Sequence, residues 1–178
     1  ADRPRYRGGM KTTPCLDGMF CWHELVTPRS EDGAAFYKEL FGGQVQSFPM
    51  GNGTYSIIHV EDQAVGGVQP HNPEHAMEAP SQWLCYVAVP DVDACCARAV
   101  ANGGAVQLAP HDNPMGRAAI IRDPQGARLA VFRANPGATD ATNPEGVGAV
   151  CWVELLTHDV PAAARFYAAV LGWTVDVK

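Results

Sequence analysis

The sequence predicts an α+β fold assembled from repeated βαβββ modules. Three observations carry that reading. The stretch Cys21-Trp22-His23-Glu24-Leu25-Val26-Thr27, with Ala34, Phe36-Tyr37 and Gly42 behind it, returns as Cys151-Trp152-Val153-Glu154-Leu155-Leu156-Thr157, Ala164, Phe166-Tyr167 and Gly172. From residue 18 to 45, 11 of 28 positions match their counterparts 130 residues later with no insertion, which is self-similarity at a fixed period. Two stretches, 18–69 and 83–133, also show one order of elements: strand, helix, then three strands.

In the first unit, Trp22 to Thr27 is short and β-rich. Trp22, Glu24 and Val26 share one face of that strand, and Cys21, His23 and Leu25 share the other. Ser30 is the expected helix N-cap. Phe36, Tyr37, Leu40 and Phe41 recur at helical spacing and read as helix core, as do Phe166 and Tyr167 in the repeat. Gly42-Gly43 ends the helix. Strands follow over Gln44 to Met50, Thr54 to Val60 and Gln63 to Gln69. Gly51-Asn52-Gly53 marks a hairpin, and Glu61-Asp62 makes the next turn.

Pro70 to Ser81 reads as a loop, because Pro70, Pro73 and Pro80 oppose a helix; His71 and His75 fall on it as solvent-facing residues. The second unit opens with a strand at Trp83 to Val89. Asp91 caps a helix from Val92 to about Asn102, and Gly103-Gly104 stops it. A strand starts at Ala105 to Leu108, His111 to Pro114 reads as a loop, and Gly116 to Arg122 is a strand. The turn Asp123-Pro124-Gln125-Gly126 places proline where its fixed φ fits, before a last strand at Arg128 to Arg133.

Residues 1–17 read as an N-terminal arm, 18–135 as the paired-module domain and 136–147 as a linker. Residues 148–178 read as the start of a third, incomplete module with a strand, a helix and a strand stub. Unpaired backbone at such a sheet edge calls for a partner. The expectation is a homo-oligomer, or completion of the module by further segments.

Composition narrows the function classes. The formal charge of −6 speaks against nucleic acid or an anionic membrane as the main partner. No apolar run approaches the ~20 residues of a membrane-spanning helix. The six cysteines, Cys15, Cys21, Cys85, Cys95, Cys96 and Cys151, form no C-x-x-C pair and read as small buried hydrophobes, which points to the cytoplasm. Gly42-Gly43 and Gly103-Gly104 end helices rather than begin them, the wrong end for binding a phosphate. No nucleophile elbow is present.

The ordered set of paired modules, Phe36-Tyr37, Val89-Pro90-Asp91-Val92-Asp93-Ala94 and Asp123-Pro124-Gln125-Gly126-Ala127 resembles the vicinal oxygen chelate superfamily, which includes glyoxalase I, bleomycin-resistance proteins and extradiol dioxygenases. The likeness is to its two-domain glyoxalase-like subtype. It implies a cup-shaped half-barrel sheet with helices outside, and in the enzymes a divalent metal held in the cup to stabilise an oxyanion of the substrate. Carried over residue by residue, the ligand positions fall on Trp22, Leu84 and Ala130, none of which is a metal ligand. The reading is therefore no metal site and no predicted cofactor, with a divalent metal open only if the register is off by one, which would bring His23 or Cys21 to the first position.

A cup with tryptophan in place of a ligand suits a planar or partly apolar small molecule. Expected ligand contacts are Trp22, Glu24, His59, Leu84, Tyr86, His111, Arg117 and Ala130. Glu24 beside Trp22 is the candidate general base, since desolvation raises a carboxyl pKa. Its alternative is a structural partner of Arg117 or Arg128. His59 lines the cup or faces solvent, His111 sits at the rim, and Tyr86 donates into the cup. Several functions stay open at this point: a glyoxalase-like lyase or isomerase, an extradiol-dioxygenase-like enzyme if a metal is bound, a metal-free protein sequestering a drug or metabolite, and an interaction protein whose cup is filled by its own side chains.

Overall fold

The computed structural model describes residues 17–51, 53–71, 81–136 and 146–176. The elements in chain order are β1 (Phe20–Thr27), α1 (Ser30–Phe41), β2 (Gln44–Met50), β3 (Gly53–Val60), β4 (Gln63–Pro70), β5 (Gln82–Ala88), α2 (Val92–Ala101), β6 (Ala105–Asn113), β7 (Gly116–Arg122), β8 (Arg128–Ala134) and α3 (Val160–Leu171). Two βαβββ modules thus follow one another, and a third helix follows them.

The eight strands form one sheet in the order β2-β3-β4-β1-β5-β8-β7-β6. Each module's first strand runs parallel to its own last strand, β1 with β4 and β5 with β8. The modules join where β1 meets β5 antiparallel, with Trp22 opposite Tyr86, His23 opposite Cys85 and Glu24 opposite Leu84. That register is centred on the His23–Cys85 pair. A two-fold through it exchanges Trp22 with Leu84 and Glu24 with Tyr86.

The alternation read from the sequence sorts the two faces. On the helix side, Leu25, Ile58, Val60, Val65 and Val68 bury Ala34 of α1, with Tyr37 and Phe41 packed against them. Val87, Ala119, Ile121, Leu129 and Val131 do the same for Val92, Cys95, Cys96 and Ala99 of α2. His23 belongs to this side: it is buried, its Nδ1 lies 3.4 Å from Cys85 Sγ, and its ring stacks on Phe20. On the concave side, Val26, Leu84, Ile120 and Ala130 form a separate buried cluster edged by Tyr86 and Leu108.

Helix ends follow local chemistry. Gly42 takes φ 64°, and the N–H groups of Gly42 and Gly43 close on the carbonyls of Glu39 and Lys38. Asp91 caps α2 by accepting the Ala94 N–H at 2.9 Å. The expected cap at Ser30 is corrected: the N-cap is Arg29, with no side-chain cap bond, and Ser30 is already helical. Thr27 Oγ1 instead accepts the Arg29 N–H at 3.2 Å.

Other expectations are also corrected. The loop at His111 to Pro114 is mostly strand, because β6 stays paired with β7 to Asn113 and only Pro114-Met115 turns. Phe36 and Leu40 are not core; they face solvent. Cys151 is exposed rather than buried. Residues 151–157, a strand by repeat logic, lack ladder partners and form no strand, and 172–176 form none either. The third helix does form. Asp159 caps it, accepting the Ala162 N–H at 2.9 Å, and Gly172 ends it at φ 76°. The arm over residues 1–16, most of the loop with His75, and the linker core lie outside the described residues.

The third unit is held by the second. Phe166 and Val170 enter the α2 core. Arg98 donates from Nε and Nη2 to the Val170 carbonyl at 3.0 and 2.9 Å. Tyr167 donates to Asp123 Oδ2 at 3.1 Å, and Trp173 Nε1 to the Gly18 carbonyl at 2.7 Å. Gln125, on the Asp-Pro-Gln-Gly turn, accepts from the backbone N–H groups of His158 and Asp159.

Candidate functional site

The concave face centres on Glu24. It stands on β1 because strand alternation turns it away from the helices, and it is only 7% exposed. A buried carboxylate needs donors, and three side chains supply them. Tyr55 Oη reaches Oε1 at 2.7 Å, while Gln69 Nε2 and Tyr86 Oη reach Oε2 at 2.7 and 2.6 Å. Trp22 Nε1 in turn donates to Tyr55 Oη at 3.0 Å. Four strands therefore converge on one carboxylate: β1 itself, β3, β4 and β5.

Gly67 makes this convergence possible. It pairs with Glu24 across the parallel β1–β4 ladder. A Cβ there would run into the Tyr55 hydroxyl, and would lie 2.9 Å from its Cζ and 3.1 Å from Glu24 Cγ. Only glycine lets the Tyr55 ring lie across the ladder and reach the carboxylate.

Burial pushes the Glu24 carboxyl above its ordinary value of 4.5, against the opposing pull of hydrogen bonds from Tyr86, Tyr55 and Trp22. Burial first, and the neighbouring Glu24 charge second, push the phenols of Tyr55 and Tyr86 well above the ordinary tyrosine value. Both phenols are thus donors at neutral pH. The arrangement is a closed relay from indole to phenol to carboxylate, with a second phenol and an amide completing it.

Six of the eight expected contact residues come together on this face. Trp22, Glu24, Leu84 and Tyr86 come together at the β1–β5 junction, and Ala130 lies opposite Tyr86 on β8. His59 falls on the same side of β3 as Tyr55 by alternation, with its Nε2 buried and lacking a hydrogen-bond partner. Gln82 Nε2, on β5 two residues before Leu84, is likewise buried and unpaired. Two residues are not brought beside Glu24. His111 stands exposed at the rim, on the edge strand β6 opposite Ala118, its Nδ1 within 3.1 Å of the Ala109 carbonyl. Arg117 is a correction: it shares the helix side of β7 with Ala119 and Ile121. It donates to Asp93 on α2 at 2.6 and 2.9 Å and to Asp112 at 3.0 Å. Nor does Glu24 pair with an arginine. Arg128 Nη1 instead lies 3.5 Å from Gln82 Oε1.

Sequence reasoning missed Tyr55, Gln69 and Gly67. Tyr55 stands four residues before His59 on the same face, so its side was readable. Its approach to Glu24 depends on the β3–β4–β1 order, which no local pattern encodes.

The donor set does not fit a divalent metal. The two-fold relates Trp22 to Leu84, and Gly67, opposite Glu24, to Ala130, opposite Tyr86. None of these four offers a donor. Among the described residues no three His, Cys, Asp or Glu side chains come together to hold a metal ion. Glu24 is an isolated carboxylate with both oxygens engaged.

Known proteins resemble this chain. CFP32 of Mycobacterium bovis, a protein named as a glyoxylase, is 35% identical over 156 residues, covering 86% of this chain and 59% of that one. The anthracycline biosynthesis protein DauV of Streptomyces sp. (strain C5) is 36% identical over 172 residues, covering 87% and 61%. The chain therefore spans about three-fifths of the curated relatives it matches. Among solved structures, the Mn(II)-bound glyoxalase from Novosphingobium aromaticivorans superposes with a TM-score of 0.62 at 14% identity, covering 89% of this chain and 54% of that one, a likeness of fold alone. Residues 150–177 match the bleomycin resistance protein-like N-terminal family, the unit that the repeat places there. With residues 21–131 matching its family profile, the chain belongs to the Glyoxalase/Bleomycin resistance protein/Dioxygenase superfamily.

Proposed function

We infer that the cup binds a planar, partly apolar small molecule without a metal, and that Glu24 holds the cup together rather than abstracting a proton. The observation that carries this reading is the hold of Tyr55, Gln69 and Tyr86 on the buried Glu24. A general base must present a lone pair to the substrate, and here three donors occupy most of the carboxylate's roughly four acceptor sites. Trp22 offers an aromatic face beside it, and Leu84, Val26, Ile120 and Ala130 supply apolar floor. Among the described residues, His59 Nε2 and Gln82 Nε2 are buried polar atoms of this face that a ligand would satisfy. The name of DauV, an anthracycline biosynthesis protein, suggests fused-ring aromatic polyketides as the first ligand class to try.

Fluorescence titration of the chain with anthracyclines, anthraquinones and naphthoquinones tests this. Saturable quenching that survives a chelator and is lost in Trp22→Phe is the expected result. Quenching that needs added divalent metal, or an unchanged spectrum across the panel, contradicts it.

A lyase or isomerase reading rests on the burial that raises the Glu24 carboxyl. Turnover of any substrate by the wild type but not by Glu24→Gln, with the variant folded, would replace the binding reading with this one.

A further inference from the structure

Helices α1 and α3 are repeat copies, 130 residues apart, yet they bury different faces. In α1, Ala34, Tyr37 and Phe41 face the sheet. Phe36 and Leu40, on the neighbouring face, are 58% and 60% exposed. Their counterparts in α3 are Phe166 and Val170, which are 3% and 0% exposed because that face sits on α2. One helix of the pair shows what its repeat does with the face the other leaves open.

The seated copy also shows the chemistry of its cover. Cys95 and Ala99 of α2 are small, buried and four apart, so an aromatic ring and a branched aliphatic can settle against the helix. Arg98 donates two hydrogen bonds to the carbonyl of Val170, in the last turn of α3, where helix carbonyls lack partners and the dipole favours a cation. Leu40 occupies the matching last-turn position of α1.

We propose that the Phe36–Leu40 face of α1 is the docking site for a second helix of the α2 kind, with two small residues four apart and an arginine that caps the Leu40 carbonyl. The occupant is the second helix of a fourth βαβββ module, the one that pairs with the module begun at 148–176. Two observations favour it over another copy of this chain. The α2 face that would serve is already covered by α3. The relatives, of which this chain spans 59% and 61%, are long enough to hold a further module pair. Each module pair then clasps the other through one first-type and one second-type helix, twice over.

The test uses the 178-residue chain and a fluorescently labelled, hydrocarbon-stapled peptide with the sequence of residues 91–103. Anisotropy should show saturable binding that disappears in Leu40→Asp. Replacing the peptide's arginine with glutamate should weaken binding by about tenfold or more, the loss expected for hydrogen bonds from a charged donor. Absence of binding up to the peptide's solubility overturns the proposal, as does binding indifferent to Leu40→Asp. A dimer of the 178-residue chain that Leu40→Asp splits into monomers overturns it too, since a second copy would then own the face.

Discussion

Glu24 occupies the point where four strands meet, and its neighbours decide what it can do. Tyr55 both donates to the carboxylate and accepts from Trp22, so Tyr55→Phe leaves the buried Glu24 and the half-buried Trp22 each short of a partner. It should cost about 1–3 kcal/mol and shift the emission of Trp22, read by chemical denaturation and fluorescence. Gly67→Ala places a methyl group where the Tyr55 ring lies. It should cost about 1–3 kcal/mol by overpacking and perturb the same emission. The pH dependence follows from the raised Glu24 carboxyl. A folded-state value above the unfolded one means that the contribution to stability is complete below the ordinary value and fades as pH climbs through the folded one. The melting temperature of the wild type should therefore fall relative to Glu24→Gln as pH rises above the ordinary carboxyl value of 4.5. A gap that stays constant or widens in the wild type's favour would show that the donors outweigh burial. Of this cluster, Trp22, Glu24 and Tyr86 were legible in the sequence, since strand alternation and the position of the first helix fix their side. Tyr55 and Gln69 were not, because their approach depends on β3 and β4 closing back beside β1.

At the scale of elements, the repeat foretold which segments would be helical but not which faces they would bury. Phe36-Tyr37 and Phe166-Tyr167 are the same dipeptide at the same helical position, so periodicity gave both aromatic pairs one role. Tertiary contact divides them: α1 meets its own sheet, and α3 meets α2. Phe166→Ala should accordingly cost about 3–5 kcal/mol, whereas Phe36→Ala in this chain should stay within about 0.5 kcal/mol. Paired thermal melts check the contrast, and equal losses would refute it. Turn chemistry was the more dependable signal. Asp91, Gly42 and Asp123-Pro124-Gln125-Gly126 all behave as their residue types dictate, and the last also ties down residues 157–159. The Ser30 cap failed because the helix begins one residue earlier, with Arg29 at the N-cap and Ser30 already helical. Arg117 was misplaced for a similar reason. Its parity on β7 puts it on the helix side, where Asp93 and Asp112 hold it. Arg117→Ala should thus leave ligand quenching of Trp22 unchanged, and a weakened titration would return it to the cup.

At the scale of the whole molecule, two modules related by a two-fold through His23 and Cys85 build one curved sheet, and the symmetry pairs Trp22 with Leu84 and Gly67 with Ala130. The βαβββ order, the duplication and the superfamily were all visible in the sequence, because turns, caps and the repeat act locally. What the cup holds is decided by side chains converging from distant strands, which local pattern reports only in part. The claim on which the account rests is that hydrogen-bond donors, not a cation, surround the buried carboxylate of Glu24 in the cup. Isothermal titration of the chelator-treated chain with Mn²⁺, Ni²⁺ and Zn²⁺ tests it most directly. The account predicts no saturable site whose heat depends on Glu24. Stoichiometric binding that vanishes in Glu24→Gln would contradict it.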